Sequence, residues 1–247
     1  MRLQLGYNHP FEIRKYRHPD ENLAGTSILY LSDFHFNRFG CRSMENICTV
    51  TDRLNPDIIL LGGDYADSRK GMSYFERMMS LLTRSCHVFA IAGNHDLPRL
   101  NQVRTIVEAS HALWINKRTV TLSYGHSTIR IDGTRPAHMP AAAARPDLSI
   151  LCLHRPIDVT PFAGQYDLIF AGHLHGSQIV FRSTEKGLYP GRFIYKWNRL
   201  STTYGPTQYI ISKGLGDTLP IRYNCSRDAV LVEIFRPVIP DLNTPKP

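Results

Sequence analysis

The chain has 247 residues, of which 43% are hydrophobic and 20% charged, and it carries a formal net charge of +8. That length suffices for a substantial α/β core without cross-links, and one domain spanning 1–247 is expected. Five cysteines, an odd number with no C-x-x-C pair, point away from a disulfide framework or a zinc ribbon and fit a reducing compartment.

No run of about 18 apolar residues argues for a membrane span. The N-terminal stretch MRLQLGYNHPFEIRKYRHPDE lacks an apolar leader. A cytoplasmic protein is expected, and its positive charge favours anionic partners such as nucleic acid, phosphorylated metabolites or an acidic bilayer. Charge by itself does not choose among them.

In chain order, HPFEIRKYRHP (9–19) reads either as a basic segment reaching toward anionic lipid at the inner membrane surface or as a first strand on a sheet edge. SILYL (27–31), DIILL (57–61) and HVFAI (87–91) predict strands. Helices over about 43–54 and 71–84 separate them, with Met44, Ile47, Val50 and Leu54 at helical spacing. RTVTL and STIRI around SYGH predict a hairpin, and PAHMPAAAARP (136–146) a biased loop. LSILCL (148–153) and DLIFA (167–171) are further strands. Beyond residue 176, Gly, Pro and aromatic residues punctuate short β-like runs as far as VLVEIF. The alternation predicts a layered α/β sandwich.

Each strand ends in residues that suit metals better than turns. SILYL runs into SDFH, DIILL into GGD, HVFAI into AGNHD, LSILCL into a histidine and DLIFA into GHLH. Singly, Asp33 reads as a cap, Asp64 as part of a Gly-Asp turn and His154 as a hydrogen-bonded core histidine. Together they fall at the carboxyl ends of strands, where open α/β sheets form their sites. His173 and His175, two positions apart, would point the same way on an extended segment.

The donor set Asp33, His35, Asp64, Asn94, His154, His173 and His175 contains no thiolate and suits Mn, Fe or Zn. Seven groups exceed a closed structural zinc site and suffice for two divalent ions sharing a bridging carboxylate. Gly62, Gly63, Gly93 and Gly172 precede these residues and permit sharp turns or close approach.

The ordered motifs DFH, GGD, GNHD, H and GHLH resemble the signature of the calcineurin-like metallophosphoesterases, over about residues 26–180. The resemblance implies a four-layer αββα sandwich of two mixed β-sheets flanked by helices. It further implies that Asp33, His35 and His175 hold one metal, that Asn94, His154 and His173 hold a second, and that Asp64 bridges them. A metal-bridging hydroxide would attack the phosphoester. His95 resembles the family's active-site histidine, which protonates the leaving oxygen, and Asp96 would orient it.

GHLHGSQ, followed by GLGDTLPIR (214–222), is similar to the YkuE/LpxG-like phosphodiesterase subgroup, with Leu174 and Ser177 as departures and without the Pro-Glu that usually follows Arg222. That resemblance implies a phosphodiester or pyrophosphate substrate such as UDP-2,3-diacylglucosamine of lipid A synthesis. Arg182, Lys186, Arg192, Lys196 and Arg199, interleaved with Phe193, Tyr195, Trp197 and Tyr204, suit phosphates beside rings or acyl chains, or equally a packed aromatic cap with solvated cations. Only 18 residues separate His154 from His173, too few for a helical lid there. Nuclease or cyclic-nucleotide phosphodiesterase activity stays open. So does a non-catalytic scaffold, against which the complete ligand set argues.

Overall fold

The computed structural model describes residues 3–83, 86–136 and 145–237. In chain order its strands are β1 (Leu3–Leu5), β2 (Glu12–Pro19), β3 (Ser27–Leu31), β4 (Ile58–Leu61), β5 (His87–Ala90), β6 (Leu113–Trp114), β7 (Thr119–Tyr124) and β8 (Ser127–Gly133). They continue as β9 (Leu148–Cys152), β10 (Leu168–Ala171), β11 (Val180–Thr184), β12 (Gly187–Pro190), β13 (Ser201–Tyr204), β14 (Thr207–Ile211), β15 (Ile221–Tyr223) and β16 (Asp228–Phe235). The helices are α1 (Cys41–Leu54), α2 (Arg69–Leu82) and α3 (Leu100–Ala109).

Two six-stranded mixed sheets carry the fold, ordered β2-β16-β3-β4-β5-β6 and β13-β14-β10-β9-β8-β7. Strands buried on both faces need apolar residues at every position, which is why SILYL and IILL read as continuous runs. Alternate residues of β3, β4 and β5 divide between two cores. Leu29, Leu31, Ile59, Leu61 and Val88 face the helices, whereas Ile28, Tyr30, Ile58, Leu60 and Phe89 face the second sheet through Ile129, Ile150 and Phe170.

The helices show the same logic at their own period. Met44, Ile47, Cys48 and Thr51 line the buried face of α1, which stops at Asn55 in a left-handed conformation. Ser68 caps α2 by accepting from the Gly71 amide at 3.0 Å. Helix α3 is not among the predicted elements, although Val103, Ile106 and Val107 supply its buried stripe. Among the described residues no α-helix covers the outer face of the second sheet. There Leu151, Ile169, Tyr209 and Ile211 pack against loops and the short turn Thr160–Phe162.

Helices α1 and α2 each begin two residues earlier than periodicity predicts. The predicted hairpin is present with a tighter turn, since Tyr124 pairs with Ser127 and leaves only Gly125 and His126 between the strands. The basic N-terminal segment forms the edge strand β2, parallel to β16. Most of the biased stretch 136–146 lies outside the described residues. No helix among the described residues is long and apolar enough to cross a membrane.

Candidate metal centre

Five loops leave the carboxyl ends of β3, β4, β5, β9 and β10 and converge. The first two are joined by the Asp33 amide donating to Gly63 O (2.9 Å) and the His35 amide to Asp64 O (3.0 Å). Glycine is required where they meet their neighbours: a Cβ on Gly93 would lie 2.1 Å from Asp64 Oδ1, and one on Gly172 2.3 Å from Asp33 Oδ2. Asp33, His35, Asp64, His173 and His175 all have positive φ, between 45° and 70°. Such backbone costs about 1–3 kcal/mol per residue, and its concentration in five of the seven predicted ligands points to function. His175 starts a 3₁₀ turn (His175–Ser177). The extended geometry expected for the GHLH pair is therefore absent, and its two rings part company.

Asp33, His35 and His175 bring one ligand atom each to within 4.8 Å of one another, and Asp64, His154 and His173 do the same. Asp64 Oδ2 stands between the groups, 3.6 Å from His35 Nε2 and 3.4 Å from His154 Nε2. Asn94 Oδ1 lies 2.9 Å from His154 Nε2. Thus all seven predicted residues meet in one place.

The outer nitrogens decide what the inner ones offer. His154 Nδ1 donates to Gly62 O at 2.9 Å and His175 Nδ1 to Gly216 O at 3.2 Å, because a carbonyl oxygen can only accept. His35 Nδ1 sits 3.0 Å from Asp67 Oδ2. His154 Nε2 and His175 Nε2 therefore present a lone pair inward, the arrangement that outer partners impose on metal-binding histidines. His35 Nε2 and His175 Nε2 face each other at 3.2 Å, and His154 Nε2 faces the Asn94 oxygen. Lone pairs crowded this closely repel one another unless a proton or a metal ion lies between, and the mix of carboxylate, amide-oxygen and imidazole donors fits divalent metal ions.

Electrostatics favour neutral rings at His173 and His175, whereas His35 is raised above its ordinary value: burial opposes its charge, but the hydrogen bond and charge of Asp67 and the Asp33 and Asp64 carboxylates outweigh it. Burial pushes His175 down to about 3, against the pull of the Asp33 charge, and burial together with His154 and Arg155 pushes His173 down to about 4. Burial disfavours the Asp33 carboxylate too, but His175, His154, His35 and the Ser32 hydroxyl outweigh it and hold Asp33 below its ordinary value. Asp64 is raised by burial and by the Asp33 charge, which His154 and His35 only partly offset.

A pH dependence follows for the metal-free protein. Below about 6.5 the unfolded chain protonates the residue-175 imidazole, while the native one stays neutral down to about 3. Its contribution to stability is thus complete above 6.5 and is lost as pH falls, at up to about 1.4 kcal/mol per pH unit. In chelator-treated protein, thermal melts between pH 7.5 and 5 should show a shallower acid loss for His175→Gln than for wild type.

Asp96 is not the partner of His95. Its carboxylate accepts from the amides of Asp64 (2.7 Å), Gly93 (2.7 Å) and Tyr65 (3.0 Å), tying the β4 and β5 loops together. The carboxylate beside His95 is that of Asp67, 3.3 Å from His95 Nδ1 and also against His35 Nδ1. Sequence reading misses it, although the signal is a second aspartate three residues after Asp64 in GGDYAD. His35 and His95 hold Asp67 below the usual carboxylate range although burial opposes ionisation. Asp67→Asn should reduce both turnover and metal affinity about 10–100-fold, the usual effect of losing an outer carboxylate. Steady-state kinetics and metal titration check it.

The sequence profile described as calcineurin-like phosphoesterase matches residues 26–177. Phosphodiesterase YaeI of Escherichia coli (strain K12) is 27% identical over 231 residues, covering 87% of this chain and 84% of that protein. YpbG of Bacillus subtilis (strain 168) is 25% identical over 226 residues, 85% and 82% of the two chains. Among solved structures, TT1561 of Thermus thermophilus shares the fold with a TM-score of 0.50 at 10% identity, over 78% of this chain and 91% of that one. With the profile spanning more than half of its length and the five strand-end motifs gathered into one centre, the chain belongs to the calcineurin-like phosphoesterase family and is a metallophosphoesterase, a hydrolase of phosphoric esters.

Proposed function

We propose that the protein is a dinuclear phosphodiesterase or pyrophosphatase, acting as one domain on a lipid-linked sugar nucleotide at the cytoplasmic surface of the membrane. The observation that carries the dinuclear reading is Asp64 Oδ2, which stands between an imidazole of each group at 3.6 and 3.4 Å. In this reading Asp33, His35 and His175 hold one divalent ion, Asn94, His154 and His173 hold the other, Asp64 serves both, and manganese is the preferred metal with iron or zinc as substitutes. Two such ions supply Lewis acidity and a nucleophile at neutral pH. His95, whose side chain is 40% exposed, reaches the solvent side of the centre and donates a proton to the leaving oxygen, with Asp67 holding its ring. The similarity to a protein named a phosphodiesterase favours a diester or pyrophosphate over a monoester.

The substrate class rests on the cap that follows His175. A groove of about 670 Å³ is lined by Arg182, Thr184, Glu185, Lys186, Tyr189 and Phe193. Phe181, Phe193 and Ile194 are 72%, 82% and 76% exposed, an arrangement of apolar tips among cations that suits an anionic bilayer surface. Asn198 ties this cap to the metal centre by donating to Ser177 Oγ at 2.7 Å and to Leu188 O at 3.0 Å.

Manganese-supplemented hydrolysis of UDP-2,3-diacylglucosamine, followed by mass spectrometry with Asp64→Ala as the blank, tests the reading. Release of UMP and the acylated sugar phosphate by wild type alone supports it. Activity on bis-p-nitrophenyl phosphate without UMP release would retain the chemistry and redirect the substrate search to nucleic acids and cyclic nucleotides. Flotation with vesicles of anionic phospholipid, abolished by Phe193→Ser with Ile194→Ser, tests the membrane contact.

A further inference from the structure

Behind His175, and outside residues 26–177, lies a buried ionic cluster that no catalytic step uses. Arg222, Arg227 and Asp217 are each 1% exposed. Asp217 divides its carboxylate between the two guanidiniums, with Oδ1 accepting from Arg222 Nε at 2.5 Å and Oδ2 from Arg227 Nη2. Two buried cations around one carboxylate are a costly way to fill a core, and apolar replacements often serve stability as well or better. The arrangement therefore calls for another explanation.

Its contacts supply one. Arg222 Nη2 donates to Gly216 O at 2.8 Å, and that oxygen is also the acceptor for His175 Nδ1. The same guanidinium donates to Lys213 O at 2.8 Å and, through Nη1, to His175 O at 3.4 Å. The loop it holds also seats Asp33: the Gly216 amide donates to Asp33 O at 2.6 Å and the Leu215 amide to Ser32 O at 3.0 Å. A Cβ on Gly216 would fall 1.9 Å from Phe34 O, so the loop rests directly on the Asp33 turn. Two of the three residues in the first group, His175 through its ring and Asp33 through its main chain, thus lean on one loop, which Arg222 holds in place. The outer partner of His154 is Gly62 O, on a different element.

The far end of the cluster reaches the N-terminal strand. Arg227 donates to Gln4 Oε1 at 3.1 Å and to Gly6 O at 2.9 Å. Gln4 in β1 stands opposite Arg222 in β15, and the Gly6 amide donates to Pro220 O at 2.9 Å.

We infer that Arg222, held by Asp217, Arg227 and the β1 residue Gln4, is a positioning residue for His175 and Asp33, and that this cluster sets the affinity of one metal site without setting that of the other. The inference rests on the dinuclear reading above. A planar fork that serves several carbonyls and a carboxylate at once explains why arginine, not lysine, occupies position 222. It also gives β1, which belongs to neither large sheet, a task in the centre.

The test is Mn²⁺ titration of the chelator-treated full chain, read by the electron paramagnetic resonance of free and bound ion. Wild type should bind two ions. Arg222→Lys should weaken one site about 10–100-fold and leave the second unchanged, with thermal unfolding still cooperative. Gln4→Ala, at the distant end, should weaken the same site several-fold. Adding Arg222→Lys to His175→Gln should then cost little more, whereas adding it to His173→Gln should cost its full effect.

Equal weakening of both sites, or unchanged binding in a folded Arg222→Lys variant, would overturn the positioning role while leaving the dinuclear reading intact. Should Arg222→Lys not fold, Gln4→Ala carries the same decision. Wild type that binds fewer than two ions would overturn the dinuclear reading itself, and the inference with it.

Discussion

Asp64→Asn is expected to abolish metal-dependent hydrolysis, lowering turnover of bis-p-nitrophenyl phosphate by about 10³-fold or more. The substitution keeps the shape of the side chain, and the group can still accept from the His95 amide, as Asp64 Oδ1 does at 2.8 Å. What disappears is the charge that stands between His35 and His154. Removing it weakens both groups together, whereas loss of His175 or His173 strikes one. If charge stabilisation by the centre is worth about 4 kcal/mol in the transition state, the loss is about 10³-fold. Elemental analysis of the purified variant should show both ions depleted, and a variant with full metal content and near-normal turnover would sink the bridging role.

His95→Ala is expected to lower turnover about 10²–10⁴-fold on a substrate with a poor leaving group and far less on an activated aryl ester. His95 stands within reach of His35 and Asp64. Its own ring is oriented from Nδ1 by Asp67 at 3.3 Å, which leaves Nε2 for the substrate side. A proton donor matters in proportion to the basicity of the departing oxygen, so the ratio of losses on an alkyl and a p-nitrophenyl diester is the diagnostic. Equal losses on both esters would place His95 in metal binding or substrate positioning instead. Asp67→Asn should reproduce part of the leaving-group dependence, and Asp96→Asn should not, because Asp96 grips only backbone amides.

Much of the centre is legible in the residues alone. Strand, polar tail and glycine recur along the chain because parallel strands buried on both faces must be apolar throughout, and the chain can carry chemistry only where it leaves the sheet. Asp67 and Asp96 show where such reading fails. Both follow a strand in a short motif and both are aspartates, yet one faces two imidazoles and the other three amides. That choice is made by the path each loop takes beyond its strand, which local propensity does not encode. Helix α3 and the hairpin turn escape sequence reading for a milder reason, since element ends depend on capping and pairing as much as on periodicity.

The sequence by itself determined the identity and order of the candidate metal-binding side chains, most of the alternation of strands and helices through the first two-thirds of the chain, and the chemistry that such a donor set supports. These are properties of residue type and spacing, and they survive without knowledge of how the sheets pack. Only the tertiary structure decided which carboxylate serves His95, how the two histidines of GHLH part to face different groups, and that Arg222 and the N-terminal strand stand behind His175. Those pairings join residues as far apart as Gln4 and Arg227. They are set by the packing of two sheets and the close approach of glycine-bearing loops, information that no local stretch of chain contains.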